Sequence, residues 1–321
     1  MTIKNFLEVV EIRTKIASVF PFLIGVLFSL TYFHEIHWGY TTLFFLGMIV
    51  FDMATTAINN FMDFKKAKSE TYKYQQNVIG RERLSEKMIR NMILGMILFT
   101  LFIGLILSWQ TGWLLLVMGG IVCFIGIFYT YGPIPLSRMP LGEVFSGVTM
   151  GLGIFAITIY LNTVDQGVFY LNLDLRSGIF NLTGQLWGVL AIVWASLPLV
   201  FTIANIMLAN NLRDLEMDIE NHRYTLVYYI GRNNGILLFQ GLMYACYLTI
   251  LIGLVFGIYS WPILLIFLTL PKIHQNLKEH QKSLPHPRSF GYTIKNMILF
   301  NSSYALSLFA TFIWQVMRNK L

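Results

Sequence analysis

The stretch WGVLAIVWASLPLVFTIANIMLANNLRDLEMDIEN, Trp187 to Asn221, decides how this chain is read. Its first 23 residues are an apolar run long enough to cross a bilayer as a helix. Its end then changes character. Asp214, Glu216, Asp218 and Glu220, four of the 16 acidic residues of the chain, fall within seven positions. As a helix, the segment sets Asn210, Asp214, Asp218 and Asn221 on one face. A second polar stripe, Asp52, Thr56, Asn59 and Asp63, repeats that spacing earlier. The two faces are expected to oppose each other and to hold a diphosphate through magnesium.

Outward from this stretch the composition is of one kind. Of the 321 residues, 56% are hydrophobic and only 12% charged, against about 25% charged in ordinary globular chains. Mean hydropathy is +0.62. The chain is therefore expected to be an all-α polytopic membrane protein, a single domain over residues 1–321, its helices bundled around a central cavity. Nine spans are predicted, at 16–33, 39–62, 91–109, 112–130, 143–161, 187–209, 235–256, 258–271 and 293–316. Span eight is short, and Pro262 suits its first turn. Residues 1–15 are of mixed charge, and no small-residue cleavage site follows 16–33, so no removable leader is expected. Cys123 and Cys246 both fall in predicted spans, which indicates no disulfide framework.

The net charge of +7 is explained by topology. With the N-terminus cytoplasmic, all but three of the 23 Lys and Arg residues lie on the inside, the exceptions being Arg176, Arg318 and Lys320. Nucleic-acid binding is not needed to account for the basicity. Both acidic stripes then reach the cytoplasmic face.

Carboxylates at i, i+4 on one helix repel each other unless a cation lies between them. Mg²⁺ takes oxygen ligands and shares its shell with substrate phosphates. Asp63, Asp214 and Asp218 are the candidate ligands. Asn59, Asn60, Asn210 and Asn211 cluster at the membrane edge, where a poor helix former has no structural reason to be duplicated twice. Arg213 and Arg223 are the cations chosen to face the diphosphate, with Lys68 a weaker choice. Asp52 lies inside an apolar run and reads equally as a functional carboxylate or a structural hydrogen-bonding group. The histidines lack metal-ligand spacing. No phosphate-binding glycine loop, dinucleotide fingerprint or nucleophile–base set is present.

These motifs resemble those of the UbiA superfamily of intramembrane aromatic prenyltransferases. The first family motif, N-D-x-x-D followed by a further acid, is met by Asn59-Asn60-Phe61-Met62-Asp63 and Glu70, with Asn60 where the family carries Asp. The second, D-x-x-x-D, is met by Asp214 and Asp218. Tyr129-Thr130 with Pro133, then Leu141-Gly142-Glu143, is similar to the family's segment before its fifth span. Asn211-Leu212-Arg213-Asp214 through Asp218, then Asn221, Arg223, Thr225-Leu226 and Gly231-Arg232, resembles the branch that prenylates 1,4-dihydroxy-2-naphthoate in menaquinone synthesis. The Arg-Thr pair of the 4-hydroxybenzoate and haem O branches is absent.

The resemblance implies a prenyltransferase of the cytoplasmic membrane, active at its cytoplasmic face. Its partners are a polyprenyl diphosphate, an aromatic acceptor and the bilayer, with Mg²⁺ as cofactor. Asp63, Asp214, Asp218 and Arg213 would be catalytic. Asn59, Asn60, Lys68, Asn210, Arg223 and Asp52 would bind substrate. A transporter is the rival from another class, but it predicts polar residues near the midplane rather than at one face. A prenyltransferase for a 4-hydroxybenzoate-like acceptor, or a repurposed relative, are the remaining alternatives.

Overall fold

The computed structural model describes residues 1–67, 70–129, 136–220 and 222–318. The expectations placed on Lys68, Ser69, Thr130–Pro135 and Asn221 lie outside them. The elements in order are α1 (Ile3–Val9), α2 (Ile12–Phe33), α3 (Trp38–Lys66), α4 (Glu86–Thr111), α5 (Trp113–Phe128), α6 (Gly142–Asn162), a hairpin of β1 (Phe169–Asp174) and β2 (Ile179–Gly184), α7 (Leu186–Arg213), α8 (Leu215–Glu220), α9 (Leu226–Val255), α10 (Leu270–Ser283) and α11 (Arg288–Arg318).

Among the described residues, seven helices (α2, α3, α4, α6, α7, α9 and α11) are long and apolar enough to cross a membrane. α5 is a shorter apolar helix. The eighth expected span takes a different form. Residues Trp261–Thr269 wind as a 3₁₀ segment with Pro262 at its start, and α10 then continues as a polar helix. The hairpin was not anticipated. Its turn forms where the Asp174 carboxylate accepts from the Ser177 hydroxyl and from the Arg176 and Ser177 amides, which together hold that carboxyl below the usual range. Gly178 takes φ 71° there, a left-handed value that favours glycine.

The chain divides into two compact units. The first comprises Met1–Val19, Trp38–Pro135 and Leu171–Asn181. In it, α3 packs along α4. Ile89, Ile93, Ile103 and Leu107 of α4 are buried, while Leu94, Leu98, Leu101, Phe102 and Leu105 are exposed. An open apolar stripe of that size suits lipid rather than water. Below it, Val9, Val10, Ala57, Ile58, Phe64, Val78 and Ile79 form a core that seats α1 on the end of α3.

The second unit comprises Phe20–His37, Leu136–Tyr170 and Leu182–Leu321. Its central contact joins α6 to α7 through glycine. A Cβ on Gly151 would lie 2.6 Å from Val200 N, and one on Gly147 would lie 2.7 Å from Val200 O. The spacing Gly147-x-x-x-Gly151 therefore lets the two backbones touch, the usual device where lipid removes the hydrophobic drive between helices. The same stretch, Gly147–Gly153, is a π-helical turn. α7 also packs along α9 and α11.

Candidate active site

The second acidic segment is built at the end of α7. The expected unbroken helix through Asn210, Asp214 and Asp218 is corrected in one respect. α7 stops at Arg213, Asp214 adopts φ −96° and ψ 11°, and α8 restarts at Leu215. The i, i+4 connections nevertheless survive the break. Asp214 N donates to Asn210 O at 2.9 Å, and Asp218 N donates to Asp214 O at 2.8 Å. The two carboxylates thus remain one turn apart.

Each carboxylate carries its own arginine. Arg213 grips Asp214 with two bonds, Nε to Oδ1 at 2.6 Å and Nη2 to Oδ2 at 2.5 Å. Its guanidinium also lies over the Phe290 ring at 5.3 Å. Arg223 Nε stands 3.4 Å from Asp218 Oδ1, and Arg223 N donates to Asp218 O at 2.8 Å. Asp218 is buried, and that burial raises its carboxyl above the usual range, against the lowering influence of Arg223. Among the described residues no three acidic, His or Cys side chains already form a metal cage. Mg²⁺ takes one or two carboxylates plus water and phosphate oxygens, and the neighbouring carboxylates Asp214 and Asp218 are donors of that kind.

Two supports were not foreseen. Gly231, at φ 79° and ψ 156°, breaks α9 after its first turns in a conformation that favours glycine. The next residue, Arg232, donates to Leu212 O at the end of α7 at 3.3 Å and pairs with Glu216 at 2.7 Å. It satisfies a terminal helix carbonyl with a cation at the negative end of the dipole. On the other side, Asn211 Nδ2 donates to Glu143 Oε1 at 2.7 Å. The Gly-Arg pair was visible as a motif, but no sequence signal joined Asn211 to Glu143.

In the first unit the polar stripe of α3 is tied from below. Lys15 Nζ donates to Asp52 Oδ1 at 2.7 Å, to Asp52 O at 3.0 Å and to Thr56 Oγ1 at 2.5 Å. Ser18 Oγ donates to Asp52 Oδ2 at 2.5 Å. The structure thus gives Asp52 the full set of partners that its structural reading requires. Asn60 Nδ2 donates to Val9 O at 2.9 Å and Glu11 Oε1 at 3.2 Å. Asn59 and Asn210 are half-buried, and Asp63 is exposed near the end of α3.

A protein-family model for the UbiA prenyltransferase family matches residues 18–293. The chain belongs to that family, and it is a multi-pass membrane prenyltransferase. It is 26% identical over 271 residues to 1,4-dihydroxy-2-naphthoate octaprenyltransferase of Bacillus subtilis (strain 168), covering 83% of this chain and 78% of the relative. Its fold matches a UbiA homologue from Aeropyrum pernix K1 at TM-score 0.64 and 13% identity, over 95% of this chain and 98% of that one. It also matches a UbiA homologue from Archaeoglobus fulgidus bound to GPP and Mg²⁺, at TM-score 0.61 and 11% identity, over 96% and 99%.

Proposed function

We propose that the protein transfers a polyprenyl group from its diphosphate to 1,4-dihydroxy-2-naphthoate, in a magnesium-dependent reaction. The observation that carries this reading is the pair of carboxylates, Asp214 and Asp218, one turn apart and each matched by an arginine. The name of the Bacillus subtilis relative and the ligands of the Archaeoglobus fulgidus homologue support it.

Asp214 and Asp218 would hold the metal, with Asp63 the further carboxylate that the first motif offers. Bound Mg²⁺ supplies Lewis-acid stabilisation of the departing diphosphate. Arg213 and Arg223, paired with these carboxylates, would face the phosphate oxygens, where guanidinium geometry fits bidentate contact. Asn59, Asn60, Asn210, Lys68 and Asp52 are assigned to substrate binding. Charge on the leaving group is thereby favoured, the allylic C–O bond ionises, and the electron-rich ring attacks the allylic carbon. Loss of carbon dioxide from the attacked carbon restores the ring and gives the prenylated naphthohydroquinone, the reduced form of demethylmenaquinone. We place the reaction at the cytoplasmic face of the cell membrane, in a chain of nine crossings with a cytoplasmic N-terminus.

The test is a competition. Purified protein receives one polyprenyl diphosphate, Mg²⁺, and equal 1,4-dihydroxy-2-naphthoate and 4-hydroxybenzoate. Prenylated naphthoate product, abolished by EDTA and restored by Mg²⁺, is expected. Predominant 4-hydroxybenzoate prenylation would replace the acceptor, and EDTA-insensitive turnover would remove the metal.

A further inference from the structure

Glu143 stands at the start of α6 and is 4% exposed. Its two oxygens are treated differently. Oε1 accepts the Asn211 amide, and Oε2 has no hydrogen-bond partner among the described residues. Among those residues it also has no ion pair. The nearest cation along the α7 chain, Arg213, is occupied by Asp214. A buried carboxylate oxygen left without a donor costs on the order of 1–3 kcal/mol or more.

The contact with Asn211 does not explain that cost. A glutamine at 143 would accept the same amide hydrogen through its carbonyl and would bring no buried charge. What the carboxylate adds is a second, proton-accepting oxygen. Asn211 lies one turn before Asp214 on α7, and the glycine contact at Val200 fixes α6 against that helix. The unpartnered oxygen is therefore held, through Asn211, against the helix that leads into the acidic pair.

We infer that Glu143 is a catalytic residue that takes the ring-hydroxyl proton of the aromatic acceptor. The inference rests on the prenyl-transfer reading above. As the allylic C–O bond breaks, its electron pair leaves with the diphosphate. The acceptor ring carbon bonds to the allylic carbon, the ortho hydroxyl becomes a carbonyl, and its proton passes to Glu143 Oε2. The bond to the carboxylate carbon then breaks, and carbon dioxide leaves. Its electron pair rebuilds the ring, and the oxygen recovers the proton from Glu143. Atoms and charge balance, and Glu143 ends as it began. Asn211, holding the other oxygen, is the positioning residue.

The experiment crosses Glu143→Gln with the 1-methyl ether of 1,4-dihydroxy-2-naphthoate, which has no ortho proton to give. With the free hydroxy acid, kcat is expected to fall about 100-fold or more, in the range of a lost general base. Calorimetric binding of geranyl diphosphate with Mg²⁺ should stay unchanged. With the ether, wild type and variant should turn over equally, whether slowly or not at all. A variant that keeps wild-type kcat, or a loss of the same size with both acceptors, overturns the assignment. Should the glutamine variant not fold, Glu143→Asp, which withdraws the carboxylate by one methylene, must show the same loss. Wild type that prenylates neither aromatic acid overturns the functional reading and this role together. Wild-type prenylation indifferent to residue 143 overturns this role alone.

Discussion

Lys15 Nζ lies 2.7 Å from Asp52 Oδ1, with the lysine side chain 5% and the aspartate side chain 16% exposed. A charge pair in an apolar helix bundle is held together by its remaining hydrogen bonds, here to Thr56, Ser18 and the Asp52 carbonyl. Removing one partner leaves the other charged and buried. Lys15→Met is expected to cost about 3 kcal/mol or more, and Lys15→Met with Asp52→Leu to recover much of it. Denaturant unfolding in detergent micelles measures both. Equal stability of the single variant and wild type would show the pair to be idle.

Asp214→Asn and Asp218→Asn each remove a carboxylate from the proposed metal site without changing side-chain size. Even outer-shell partners of a metal are worth about 10–100-fold in affinity or activity, so each variant should lose at least about 100-fold in Mg²⁺-dependent turnover. The helical signal in circular dichroism should be retained. Wild-type turnover in either purified variant would remove that residue from the metal site.

Asn60 occupies the position where the family's first motif carries Asp, and its amide nitrogen donates to Val9 O and Glu11. A carboxylate there would meet a carbonyl and another carboxylate. Asn60→Asp is therefore expected to destabilise by about 1–2 kcal/mol and not to tighten Mg²⁺ binding. Thermal unfolding and a Mg²⁺ titration follow the two effects separately.

Gly151 touches the α7 backbone, where no flexible side chain can make room. Gly151→Ala should lower stability by about 1–3 kcal/mol. It should also reduce turnover by loosening the helix that bears Glu143. Gly119→Ala is the control, since nothing lies within 4 Å of a Cβ at that position.

His280 is fully buried, its ring stacked on Phe239 at 4.2 Å, and burial lowers it from 6.5 to about 4. Between those values the unfolded chain binds a proton that the folded chain refuses. Stability is therefore complete above pH 6.5 and falls as the pH drops toward about 4. His280→Phe should flatten that dependence. Unfolding midpoints at about pH 7 and about pH 5 in both proteins decide the point.

The parts legible in the sequence were those written in local pattern. Long apolar runs marked the spans, and the i, i+4 acids marked the end of α7. The 3₁₀ form of Trp261–Thr269, within the expected eighth span, was not legible, because its apolar composition is compatible with a 3₁₀ segment as well as with an α-helix, and hydropathy does not separate the two. Pairings across long separations left no local trace. Lys15 looked like one more charge favouring a cytoplasmic N-terminus, yet it is buried against Asp52, 37 residues away. Glu143 and Asn211, 68 residues apart, meet only because two glycines let α6 and α7 touch.

The resting arginine–aspartate pairs bear on how the substrates load. With Arg213 on Asp214 and Arg223 beside Asp218, each of these anions has a cation next to it. In the proposed site, a divalent ion would compete with the guanidinium groups for the carboxylates, and a diphosphate would compete with the carboxylates for the guanidinium groups. Each ligand thus does part of the work the other requires. By linkage, whatever factor one gives to the other's affinity is returned in equal measure. Metal and prenyl donor should arrive cooperatively, and either one alone should bind weakly.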